Sequence, residues 1–301
     1  MKDFSSASGK TILFGEHAVV YGEPAIAIPL PQIRTTARLY DNHQEFRIIS
    51  NKINLNKSYK ELDLSSGIYR LLTFLKDYFS FHILPADTLE INSNIPIAAG
   101  LGSGAALSIA IIREFSRYYE KPISVEEINR IAFEIEKIYH GNPSGIDNTT
   151  ISWEQPIIFS KSKGVTKLSS DLQALDFLVI DSGIYSKTID VVSDVRSNID
   201  KNMPFIKKIG IISNKSVQAL ISCNKNEIGE LMNENQFLLG KIGVSCKELD
   251  EMIDFGRGLG ALGAKLTGAG RGGNFLLLAK DHQHAIMLKS KYETQGLRVI
   301  L

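Results

Sequence analysis

Residues 96–111 read PIAAGLGSGAALSIAI, a stretch in which glycine and alanine surround Ser103 and then give way to an apolar run. Baring the start of a helix in this way serves one of two ends. Small residues let a helix sit close to a neighbour, or they offer backbone N–H groups to an anion at the positive end of that helix. Pro96 reads as the end of a strand, Gly100 and Gly102 as relaxed backbone, and Ser103 as the helix N-cap. Several N–H donors are then expected to face one point.

At 301 residues and 44% hydrophobic content, the chain can bury a large core. Two domains are expected, 1–167 and 168–301, with the polar segment SKGVTKLSSDLQ as either the connection or an exposed hairpin. Thirty-four basic residues against 33 acidic ones leave a net charge of +1. That balance gives no electrostatic reason to expect nucleic acid or an anionic membrane as partner, so a small soluble substrate is the better expectation. Cys223 and Cys246 show neither zinc-site spacing nor the density of a disulfide scaffold, which points to a reducing cytoplasm. The opening MKDFSSASGKTILFGEH lacks the apolar core of a signal peptide, and no run of 18 apolar residues offers a membrane span.

In the first half, GKTILF, AIAIPL, RTTARLY and EFRIIS read as four short strands separated by turn-forming residues. Ile68, Leu71, Leu72 and Leu75 have the spacing of a helix with one buried face, DTLEINS is a further strand, and the run after Gly104 is a second helix. SVEEINRIAFEIEKIYH opens on a serine cap with an acidic first turn and places Ile128, Ile131, Ala132, Ile135 and Tyr139 on one stripe, ending at Gly141. After the strand PIIFSK come FLVIDS, three or four helices between Lys187 and Gly256, the strands GAKLTG and NFLLLA, a helix from Asp281 and a last strand LRVIL. Adjacent strand pairs mixed with helices indicate an α+β fold.

Two glycine-rich segments fail familiar tests. SASGKT looks like the end of a Walker A loop, but position 4, where that motif needs glycine, is Phe4. GAGRGG, residues 268–273, matches the dinucleotide fingerprint by letter, yet it leads into the strand NFLLLA where a helix is required.

Taken together, SASGKTILFGEHAVVYGEPAIA, PIAAGLGSGAA with HGNPSGIDN after it, and KLTGAGRGGN resemble, in order and spacing, the signature motifs of the GHMP small-molecule kinases. Within that superfamily, GEHAVVYG and HGNPSGIDN are most similar to the mevalonate kinase branch. The resemblance runs from residue 5 to residue 278. It implies a two-domain α+β fold: an N-terminal α/β domain with the glycine-rich phosphate loop, a C-terminal ferredoxin-like domain, and ATP and mevalonate in the cleft between them. It implies Mg²⁺ as cofactor, transfer of the ATP γ-phosphoryl group to a primary hydroxyl, and a homodimer, which is common among similar proteins.

Site residues follow from the same resemblance. Pro96, Ala98, Ala99, Gly100, Leu101, Gly102, Ser103, Gly104 and Ala105 match the phosphate loop. Asp147 matches the general base or hydroxyl-orienting group, and Lys10 the amine that stabilises charge on the transferring phosphoryl group. Read as isolated residues, Asp147 is a turn or cap residue and Lys10 a solvated strand lysine. Glu136 matches the magnesium ligand, although as a lone residue it reads as a solvated helix-face glutamate. Glu16, His17 and Thr188 match residues facing the substrate, with His17 a positioning group and Thr188 otherwise an ordinary helix N-terminal residue.

Each of the three motifs departs from the family pattern. Gly104 occupies a position that in the family commonly supplies a hydroxyl to Mg²⁺, leaving Glu136, phosphates, water and Ser103 to hold the metal. Arg271 stands where glycine is usual and Asn274 where a cysteine often stands, and Ser8 replaces a usual proline. An arginine at 271 would either touch phosphate or reach solvent. These departures keep two alternatives open: another GHMP kinase acting on phosphomevalonate or a sugar, and a nucleotide-binding relative without catalysis.

Overall fold

A computed structural model of the chain describes residues 4–42, 44–96, 100–140, 143–170, 172–186 and 188–300. Ala98 and Ala99 of the glycine-rich segment, and the helix stop expected at Gly141, lie outside these residues. The chain forms two compact units, one of Met1–Gly9, Leu30–Pro96 and Gly102–Glu154, the other of Lys10–Pro29, Ile97–Leu101 and Gln155–Leu301. Strands β1 (Ser5–Phe14) and β2 (Ala25–Asp41) pair with each other and contribute to both.

The single strand β2 replaces the two expected strands AIAIPL and RTTARLY. Pro29 and Pro31 read as a break, but the φ angle that proline enforces suits extended backbone, and its missing N–H matters only where a partner needs it. Residues Ala25–Ala27 and Thr35–Asp41, on either side of the prolines, carry the ladders to other strands.

In the first unit, β5 (Asp87–Ser93) pairs antiparallel with the second half of β2 and parallel with β3 (Arg47–Ser50), which pairs antiparallel with β4 (Leu55–Ser58). Four helices pack together beside these strands: α1 (Gly67–Tyr78), α2 (Ser103–Tyr118), α3 (Val125–His140) and α4 (Ile146–Trp153). Ser66 caps α1 by accepting from the Tyr69 N–H at 3.2 Å, and Leu71, Leu72 and Leu75 bury one face. Ala105, Ala106, Ile109, Ala110, Ile111 and Ile112 are all buried on α2, so the apolar run that follows the glycines is that of an interior helix. Ser124 caps α3 as expected, its hydroxyl accepting from the Glu127 N–H at 3.2 Å, while Ile128, Ile131, Ala132 and Ile135 turn inward.

In the second unit, β6 (Ile157–Ser160) pairs antiparallel with Ala25–Ala27 and with β7 (Gly164–Lys167). The polar segment around Gly164 therefore forms the second strand of a hairpin. β8 (Phe177–Asp181), β9 (Gly263–Thr267), β10 (Asn274–Leu278) and β11 (Arg298–Val299) form an antiparallel sheet in the order β11-β8-β10-β9. Helices α5 (Thr188–Ser197), α6 (Ile199–Ile221), α7 (Lys225–Lys241), α8 (Lys247–Gly258) and α9 (His282–Thr294) complete this unit. Every residue of β9 and β10 is buried, so these strands read as continuous apolar runs, with the exceptions Lys265, Thr267 and Asn274. Among the described residues no helix is long and apolar enough to cross a membrane.

Candidate active site

Within the second unit, three distant segments of sequence meet. The Lys10 N–H donates to the Leu101 carbonyl at 3.0 Å, which lays the first segment against the glycine-rich one. Lys10 is only 3% exposed, so it is no solvated strand lysine. Thr267, at the end of β9, donates its hydroxyl to the Ile12 carbonyl at 2.9 Å, accepts from the Ile12 N–H at 3.2 Å and touches the Thr11 hydroxyl at 3.0 Å. The Gly268 that follows lies near Gly100, whose carbonyl oxygen would be 4.0 Å from a methyl group added there.

The turn after β1 is held from beneath by a buried polar network. Glu16 accepts from the Lys265 ammonium through one carboxylate oxygen and from Asn235 Nδ2 at 3.1 Å through the other. Lys265 also donates to the Leu266 carbonyl at 2.6 Å. Burial pushes the Lys265 amine below the ordinary lysine range, and the Glu16 charge partly offsets that. His17, beside Glu16, adopts φ 60° and is 7% exposed, with Nε2 at 2.8 Å from the Ala269 carbonyl. Burial lowers its pKa to about 4, against a raising hydrogen bond to Ala269 and with a small further push from the Arg271 charge. His17 is therefore neutral near pH 7. Since a carbonyl can only accept, Nε2 carries the proton and Nδ1 the lone pair.

In the first unit, the glycine-rich segment becomes α2. Gly102, at φ 75°, is the cap, one place earlier than the expected Ser103, which is instead the first helical residue. The left-handed φ is the reason: glycine adopts it without the clash a serine Cβ would meet. The first helical bond runs from the Ala106 N–H to the Gly102 carbonyl at 2.9 Å, so the N–H groups of Ser103, Gly104 and Ala105 precede the ladder at the positive helix end. Glu136 of α3 reaches this turn: a methyl group on Gly104 would lie 3.1 Å from its Oε1. Glu136 is 4% exposed, so it is not a solvated helix-face residue. Asp147 sits in the first turn of α4 rather than in an irregular turn, at the end of the helix that favours negative charge, and is half-buried. Pro96 and Leu101 are buried.

Thr188 is the first residue of α5 and is exposed. Lys265 and Asn235 were not anticipated, although a lysine in the middle of the otherwise apolar GAKLT signals a buried partner. Glu154 was also missed. Arg34 and Arg113 both reach its Oε1 at 2.8 Å, and the Ser8 N–H donates to the same oxygen at 3.2 Å. Burial would raise the Glu154 carboxyl, but the bonds and charges of Arg113 and Arg34 outweigh it and hold the carboxyl low. GAGRGG forms the loop between β9 and β10, with no helix after it, and Arg271 there is partly exposed, pairs with Asp194 and donates from Nε to the Gly243 carbonyl at 3.0 Å.

Residues 66–154 match the model of the GHMP kinases N terminal domain, and residues 216–296 match that of the GHMP kinases C terminal region. Both halves of the class, ATP-dependent small-molecule kinases, are thus present in the expected order. The mevalonate kinase of Thermococcus sibiricus is 30% identical over 99% of this chain and 98% of its own length. That of Pyrococcus abyssi is 33% identical over 94% of this chain and 90% of its own. The crystal structure of the Methanococcus jannaschii mevalonate kinase superposes with a TM-score of 0.87 at 27% identity, covering 98% of this chain and 96% of that one. The chain belongs to the mevalonate kinase family of the GHMP kinases.

Proposed function

We propose that this chain transfers the γ-phosphoryl group of ATP to the 5-hydroxyl of mevalonate, giving 5-phosphomevalonate and ADP. The observation that carries the reading is the bond from the Lys10 N–H to the Leu101 carbonyl, within a chain whose full-length relatives are mevalonate kinases. It anchors the one buried lysine of the first segment to the backbone that leads into the α2 N-terminus.

In this reading the N–H groups from Gly100 to Ala105 and the α2 dipole receive the ATP phosphates. Asp147 orients the acceptor hydroxyl and takes its proton as the oxygen attacks the γ-phosphorus and the bond to the ADP oxygen breaks. Lys10 balances charge on the phosphoryl group in flight. Neutral His17 offers Nδ1 as an acceptor to a substrate hydroxyl, Thr188 contacts the acceptor from α5, and Glu16 holds the turn that carries His17. A buried carboxylate beside a phosphate-binding helix end suits a hard, oxygen-seeking cation, so Glu136, with Ser103, would hold Mg²⁺. The ion neutralises phosphate charge when bound. A homodimer is the assembly expected from the family resemblance, and two cysteines without paired spacing suit a reducing cytoplasm.

The test is ADP release by purified protein with Mg-ATP and mevalonate, phosphomevalonate, homoserine or galactose. Mevalonate alone should support turnover. Turnover on another member of the panel, or on none, overturns the proposal.

A further inference from the structure

The loop Gly268–Gly273 does more than connect β9 to β10. It is stitched to the segment that leads into α5: the Gly273 N–H donates to the Ile184 carbonyl at 2.8 Å, the Ser182 N–H to the Gly273 carbonyl at 2.8 Å, and the Ser186 hydroxyl to the Gly270 carbonyl at 2.7 Å. The loop also presses on the turn after α7, where a methyl group on Gly270 would come within 2.0 Å of the Val244 oxygen.

Arg271 carries these contacts into the body of α5. Its N–H donates to the Val244 carbonyl at 2.8 Å and its Nε to the Gly243 carbonyl at 3.0 Å, while its guanidinium pairs with Asp194, further along α5 from Thr188. Arg271 stands at φ 52°, a left-handed conformation that strains a residue with a side chain and costs glycine little. A side chain is thus present where backbone geometry favours none, and it is committed to two other elements.

We propose that Arg271 is a positioning residue whose contact with Asp194 locks α5 to the glycine loop and so fixes Thr188, the first residue of that helix, for the acceptor alcohol. This rests on the reading of Thr188 as an acceptor contact. The pair is partly exposed, 36% for Arg271 and 55% for Asp194, so its contribution is of the modest size of surface ion pairs and is screened by salt.

The experiment compares Arg271→Gln, Asp194→Asn and the double variant with the unaltered enzyme. It measures kcat, KM for mevalonate, KM for ATP, and amide hydrogen exchange of residues 188–197 without substrate. Each single variant should raise the KM for mevalonate about two- to fivefold, leave the KM for ATP unchanged and speed exchange in α5, with the double variant no worse than either single one. At 0.5 M salt (roughly a 4 Å screening length) the difference from the unaltered enzyme should shrink. Additive effects in the double variant, or a KM for ATP that rises in step with that for mevalonate, overturn the proposal. Unaltered exchange overturns it as well. Thr188→Ala separates the two readings: it should raise the KM for mevalonate without changing exchange, and an unmoved KM in that variant refutes the role of Thr188 itself.

Discussion

His17 permits a quantitative prediction about pH. Its imidazole is 7% exposed and donates to the Ala269 carbonyl, and burial lowers its pKa from 6.5 to about 4. The unfolded chain therefore binds this proton more readily than the folded one between those two values. Stability from this group is complete above pH 6.5 and falls as the pH drops, most of it lost by pH 4. At about 1.4 kcal/mol per pH unit, the whole effect is about 3 kcal/mol, and about 2 kcal/mol is already gone at pH 5. His17→Asn removes the titration while suiting the backbone, because asparagine tolerates the left-handed φ of 60° and keeps an amide donor for Ala269. The assay is urea unfolding of both proteins at pH 7.5 and pH 5. The unaltered protein should lose about 2 kcal/mol more than the variant between the two conditions, other titrating groups cancelling in the difference. In parallel, the His17 ring resonances should stay constant down to pH 5. Parallel losses of stability, or a ring that titrates near 6.5, would refute the argument.

Other consequences follow from single contacts. Lys265→Met leaves the Glu16 carboxylate buried with Asn235 alone and should cost about 3–5 kcal/mol, lowering the thermal midpoint by about 10 °C, with Glu16→Gln in the same chain restoring part of it; a variant as stable as the parent would show that the pair is not buried together. Gly104→Ser should keep or raise affinity for Mg-ATP by titration calorimetry, since Glu136 Oε1 has only to give a few tenths of an ångström from 3.1 Å, whereas a large loss would mean that the turn is built around glycine. Ser8→Pro removes the N–H that donates to Glu154 and should cost about 1–3 kcal/mol in chemical unfolding; an unaffected midpoint would make that bond dispensable. Asp147→Asn should abolish turnover while ATP affinity, measured by calorimetry, stays nearly intact, and a normal kcat would exclude the aspartate from proton transfer.

Much of the architecture was legible because it rests on local pattern. The stripe Leu71, Leu72, Leu75, the serine cap of α3 and the apolar pairs around GAGRGG are read from spacing alone, and each appears where expected. Local pattern failed where a long-range partner decides. Pro29 and Pro31 look like a break in a strand, but β2 runs through them because its ladders lie on either side. Ser103 looks like the cap, but Gly102 takes the left-handed turn. Charged residues are the least legible from local pattern: Glu136, read as a lone residue, resembles a solvated helix-face glutamate yet is buried, and the partner of Lys265 lies 249 positions away.

The order of the glycine-rich segments, with lysine, glutamate and aspartate at fixed places around them, was enough to identify the kind of chain this is. Backbone exposed by small residues, helix caps and apolar stripes are properties of neighbours in the chain, so one sequence carries them. Which buried charge meets which was decided only on folding. Glu16 finds Lys265 across 249 positions, and Ser8 finds Glu154 across 146. Pairings of that kind depend on the crossing of strands and helices that no local spacing encodes.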